Sequence, residues 1–67
     1  MEIKPGLYRH FKGKMYRMVG VARHSETLAE LVVYWDENDK LWVRPKEMFE
    51  EIITRDGKKM HRFEFIK

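Results

Sequence analysis

The sequence predicts a small, mainly β domain: an SH3-like β-barrel of five or six short strands with one helical turn after Pro45. Three observations lead there. Short runs of β-branched and aromatic residues alternate with tight turns built from Gly, Asp, Asn and Lys. The stretch Leu41-Trp42-Val43-Arg44-Pro45-Lys46-Glu47-Met48-Phe49 reads as a core strand that proline stops and turns into a single helical turn. The chain has only 67 residues, so a sheet of such strands must curl on itself to cover a core and hide its edges.

Taken in order, Lys4-Pro5-Gly6 is an opening loop, and Leu7 to Phe11 alternates as a first strand. Lys12-Gly13-Lys14 is a polar turn with glycine where a positive φ is needed, and Met15 to Ala22 returns as a longer strand. Residues 23–27 are a polar loop. Thr27 and Glu30 have capping-box spacing, so a helix from Leu28 to Tyr34 competes here. The stiff run Leu31-Val32-Val33-Tyr34-Trp35 favours a central strand instead, and its lack of alternation predicts that both faces are covered.

An acidic turn over 36–40 leads into Leu41–Arg44. Arg44 is held extended by Pro45, which suits the first helical position, with Glu47 in the favourable first turn. Residues 51–54 resume a strand, Asp56-Gly57 turns it, and His61 to Ile66 alternates to the end. The pattern predicts a core of Leu7, Tyr16, Val19, Val21, Leu31, Val33, Leu41, Val43, Met48, Phe49, Ile53, Phe63 and Phe65.

Composition narrows the function classes. There is no cysteine, so no disulfide and no thiolate metal site, which fits a reducing cytoplasm. No apolar run has signal-peptide length or the roughly 20 residues of a membrane span, so no membrane partner is expected. The net charge of +3 is unevenly spread: residues 1–23 carry +5, residues 24–53 carry −5 and residues 54–67 carry +3. If the two ends meet in space, the fold has a basic side and an acidic side.

Several motifs occur in order: His10-Phe11-Lys12-Gly13, Arg23-His24-Ser25-Glu26-Thr27, Val32-Val33-Tyr34, Trp42-Val43-Arg44-Pro45, Met48-Phe49 and Arg62-Phe63. Together they resemble the bacterial family known as domain of unknown function 1653, from Gly6 to Ile66. The resemblance implies a compact, mostly β, SH3-like barrel that occurs as a small stand-alone protein. It brings no activity with it.

The candidate chemistry is thin. His24, Ser25, Glu26 and Thr27 put a base, a hydroxyl and a carboxylate in one loop, but nucleophilic catalysis needs convergence in space, and no glycine elbow surrounds Ser25. The plainer reading is a loop whose polar groups tie its own backbone. His10, His24 and His61 lack short zinc-ligand spacing, and residues 36–39 lack the glycine and distal glutamate of an EF-hand, so no metal or cofactor is expected. No enzyme is expected either.

Two binding readings remain. The favoured one is recognition of an extended peptide or protein through an aromatic and arginine surface of Tyr8, His24, Glu26, Tyr34, Trp42, Arg44 and Arg62. The alternative is single-stranded nucleic acid on Arg9, Lys12, Lys14, Arg17, Arg23, Lys58 and Lys59. On a strand Trp42 and Arg44 share a face. If it is exposed, they form a recognition surface. If it is buried, Arg44 needs an internal acid such as Glu26 or Glu51.

Overall fold

The computed structural model describes residues 3–67. Seven strands and one helical turn follow one another: β1 (Gly6–His10), β2 (Met15–Arg23), β3 (Glu30–Trp35), β4 (Leu41–Pro45), α1 (Lys46–Phe49), β5 (Ile52–Arg55), β6 (Lys58–His61) and β7 (Phe63–Phe65). The competing helix over 28–34 does not form, because the β-branched run pairs on both sides, with β2 and with β4. The helical turn forms directly after Pro45, which is the last residue of β4 and the N-cap rather than the first helical residue, with Glu47 in the first turn.

The strands make a five-stranded antiparallel sheet ordered β4-β3-β2-β1-β7 and a separate hairpin, β5-β6. Turn chemistry fixes the hairpins. Asp56 (φ 53°) and Gly57 (φ 77°) both take the left-handed conformation that a two-residue hairpin turn requires. The Asp36 carboxylate ties the 36–40 turn by accepting the backbone N–H groups of Asn38 (2.8 Å) and Lys40 (3.0 Å).

Three expectations need correction. First, His61 to Ile66 is not one strand: Arg62 separates β6 from β7. Its backbone faces both ways, donating to the Glu51 carbonyl at 2.9 Å and accepting from the Phe11 N–H at 2.9 Å, which anchors the hairpin to the sheet. Second, backbone pairing does not close the sheet into a barrel. β4 and β7 are its two edges, and β5-β6 pair only with each other. Side chains fill the gap, with the Phe49 and Phe63 rings stacked at 4.3 Å and 8°.

Third, on β1, β3 and β4 the phase of the core is opposite to the one expected, whereas Tyr16, Phe63 and Phe65 face the core side as expected. The buried residues are Tyr8, Met18, Val32, Tyr34, Phe49 and Phe63, so of the expected set only Phe49 and Phe63 are buried, with Tyr16 packed against them. On β3 it is Val32 and Tyr34 that face inward, while Leu31 and Val33 lie half-buried on the other face. A one-residue change of phase moves every side chain across a sheet. Nor are both faces of β3 covered: Val43, opposite Val33, is 57% exposed. A bulge between Met18 and Gly20 shifts the β2 register and leaves Val19 outside the core.

Candidate functional site

The phase of the sheet decides where the aromatic surface lies. Trp42 opposes Tyr34 and Arg44 opposes Val32, so both side chains of β4 stand on the core face. β4 is an edge strand, however, and among the described residues no further strand pairs with its outer side. Trp42 therefore stays 50% exposed and Arg44 half-buried, at the rim of the core rather than inside it. They line a cleft of about 320 Å³ with Lys14, Tyr16, Tyr34, Asp36, Glu37 and Asn38.

The walls are well organised. The Tyr16 ring meets Tyr34 edge-on at 5.3 Å and 89°, and Tyr34 is buried. The Trp42 indole N–H donates to Asp36 Oδ2 at 2.7 Å, which fixes the ring over the 36–40 turn. The Lys40 backbone N–H and the indole together hold the Asp36 carboxyl below its ordinary pKa, so it stays ionised. Glu37 is tied as well, accepting the Met15 backbone N–H at 3.1 Å.

Arg44 is the exception. Its guanidinium lies 5.4 Å from the Phe63 ring centre. Among the described residues no carboxylate comes within ion-pair distance of it. The internal acids expected for it are engaged elsewhere or distant in the fold. Glu51 accepts from Arg62 Nη2 at 2.6 Å, and Glu26 sits in the β2-β3 loop. A partly desolvated cation without a counter-ion is costly, and an incoming acid would relieve it.

Of the expected surface, Tyr34, Trp42 and Arg44 come together, and Tyr8, His24, Glu26 and Arg62 do not line the same cleft. Tyr8 is buried against Phe49 and Phe65, with its hydroxyl donating to the Lys4 carbonyl at 2.6 Å; burial pushes its phenol pKa up. His24 Nδ1 accepts the backbone N–H groups of Glu26 (3.1 Å) and Thr27 (3.3 Å), so the loop is occupied with its own backbone.

Of the cations of the nucleic-acid reading, Arg9, Lys12 and Lys59 line two clefts that share Phe11, and the others lie elsewhere. Arg9 pairs with Glu64 at 2.6 Å. Arg17 opposes Trp35 on the outer sheet face, and Arg23 opposes Glu30 at the far end of β2. Lys14 joins the aromatic cleft, Lys12 lies beside Phe11, and Lys58 and Lys59 are on β6. The two basic ends do meet, since β1 pairs with β7.

Tyr16 and Asp36 lie outside the surface expected from the sequence, which places Tyr16 in the core. The one available signal for Asp36 was a turn aspartate six residues before an indole N–H donor. Among the described residues no group of three or more His, Asp or Glu side chains is arranged to hold a metal, and no helix is long and apolar enough to cross a membrane.

Comparison with known proteins adds family and fold. The model of a family described as "Protein of unknown function (DUF1653)" matches residues 6–65. A crystal structure of a protein belonging to DUF1653 from Bordetella bronchiseptica is similar, at 29% identity and a TM-score of 0.88, covering 97% of this chain and 88% of that one. No curated protein matches the chain.

Proposed function

The chain belongs to the DUF1653 family, which names no activity, and from its own geometry we propose a non-catalytic binding module that recognises an extended peptide or protein segment. We also read the strand order β4-β3-β2-β1-β7 as an SH3-like arrangement with the β5-β6 hairpin inserted before the last strand. One observation carries the functional reading: Arg44 is a half-buried guanidinium without a carboxylate partner among the described residues, on the wall of a cleft whose other walls are Tyr16, Tyr34 and Trp42.

The recognition chemistry follows from that wall. An acidic side chain or terminal carboxylate of the partner meets Arg44 in a charge-assisted pair. An apolar, aromatic or proline residue next to it lies against Trp42 and Tyr16. The partner is extended because the cleft runs beside the edge strand β4, whose outward backbone groups are free to pair with another chain. Asp36 is bound to the indole, so its role is to hold Trp42 in position.

The test is selection from a displayed random-peptide library on the immobilised protein, with the Arg44→Met and Trp42→Ala variants as parallel baits. The expected result is a set of peptides sharing an acid beside an apolar or aromatic residue. Binding should weaken about tenfold or more in each variant, the loss of one charge-assisted contact or one aromatic anchor. Peptides that bind all three proteins equally, or no enrichment at all, would overturn the proposal.

A further inference from the structure

A second groove lies away from the aromatic cleft, where the β1-β2 turn faces the β5-β6 hairpin. Its floor is Phe11, half-buried and pinned through its backbone to Arg62. A cleft of about 680 Å³ opens on the β5 side of the ring, reaching Thr54 and Arg55, and one of about 520 Å³ opens on the β6 side, reaching Lys59 and His61. Phe11 lines both clefts, which together are the channel of this site.

The charge in this channel is one-sided. Lys12 Nζ, Arg55 Cζ and Arg62 Cζ lie 5.8, 5.8 and 5.9 Å from the centre of the Phe11 ring. Of these three, only Arg62 has a carboxylate partner among the described residues, Glu51. Among the described residues Glu64 is the one acid lining either cleft, and Arg9 already engages it. Three cations gathered on one ring repel each other, and an anion between them would relieve the repulsion. His10, whose ring lies 4.5 Å from Phe11, feels the same field: burial, then the charges of Arg62, Arg44 and Lys12, hold its pKa below the ordinary value.

We propose that this channel binds single-stranded nucleic acid, with phosphates on Lys12, Arg55 and Lys59 and one base stacked on Phe11. Cations on both sides of the ring suit a ligand whose negative charge repeats along its length, and the aromatic floor suits a flat base. Lys12 and Arg55 are exposed chains on opposite walls, free to move from the ring to the phosphates as a base takes its face. Arg62, tied to Glu51, keeps the floor in place. The site shares no lining residue with the cleft of Trp42 and Arg44.

The test is fluorescence anisotropy with a labelled oligothymidylate of about ten nucleotides, between about 50 and 200 mM salt. Affinity should fall with salt, and the double variant Lys12→Gln/Arg55→Gln should lower the log–log slope by about 1.4, near 0.7 for each lost phosphate contact. Phe11→Leu, which keeps an apolar floor, should weaken binding about tenfold with the slope unchanged. Arg44→Met should bind the strand as the parent does. Absence of binding at about 50 mM salt would overturn the proposal. So would a double variant that binds like the parent, or displacement of the strand by equal concentrations of inorganic phosphate or ATP.

Discussion

Arg44 and Arg62 are both half-buried arginines set against aromatic rings, yet their contributions to stability should differ in a way that exposes what each is for. Arg62 donates to Glu51 at 2.6 Å, with the two side chains 26% and 41% exposed, and its guanidinium lies 5.9 Å from the Phe11 ring centre. Replacing it with methionine keeps most of the apolar stem, removes a hydrogen bond to a charged group and strands Glu51. The expected loss is about 1–3 kcal/mol. Among the described residues Arg44 makes no ion pair, and its guanidinium lies 5.4 Å from the Phe63 ring centre.

Arg44→Met therefore loses a cation–π contact of about 0.5–1 kcal/mol and is released from holding an unpaired charge out of water, an effect of opposite sign. Its net change should stay within about 0.5 kcal/mol of zero. Urea denaturation followed by tryptophan fluorescence measures both variants in one experiment, with the midpoint read at constant slope. A loss of more than about 2 kcal/mol for Arg44→Met would show that Arg44 is structural, and the basis for placing a ligand acid there would be gone.

Two further outcomes follow from the packing and the charges. Phe49 is 3% exposed and stacked on Phe63, so Phe49→Ala should cost about 3–5 kcal/mol. Domains of this length have a total of roughly 3–10 kcal/mol, so thermal unfolding should show a variant largely unfolded at room temperature or close to it; a loss below about 1 kcal/mol would contradict the core described here. The His10 pKa is depressed from 6.5 by burial and by Arg62, Arg44 and Lys12. Below pH 6.5 the unfolded chain takes up this proton before the folded one, so His10 should subtract stability as pH falls from 6.5 through its lowered native value. An NMR titration of the His10 ring should place its midpoint below 6.5, and His10→Gln should remove that part of the acid sensitivity. A midpoint at or above 6.5 would refute the assignment.

The elements were legible wherever local chemistry decides them. Asp56-Gly57 can take positive φ, Pro45 stops β4 and starts α1, and the β-branched run of β3 resists a helix. The pairing of Trp42 with Arg44 on one face was legible too, since strand geometry alone requires it. The chemistry around them was not. Of the residues around them, Tyr34 alone belonged to the expected surface; Tyr16 and Asp36 reach Trp42 from another strand and a turn, and only the register of β2, β3 and β4 brings them there.

What the sequence determined by itself, then, is a mainly β chain with its turns, its helical turn and a shared face for Trp42 and Arg44. What only the tertiary structure decided is which face is the inside. Leu31-Val32-Val33-Tyr34-Trp35 is apolar in both phases, and Met18 and Val19 are equally good core residues, so alternation carries no information about phase at these positions. The stacked Phe49 and Phe63 break the tie by covering the face of Val32 and Tyr34. The edge position of β4 then leaves Trp42 and Arg44 neither buried nor free, but at an open rim of the core where a partner's side chains can reach them.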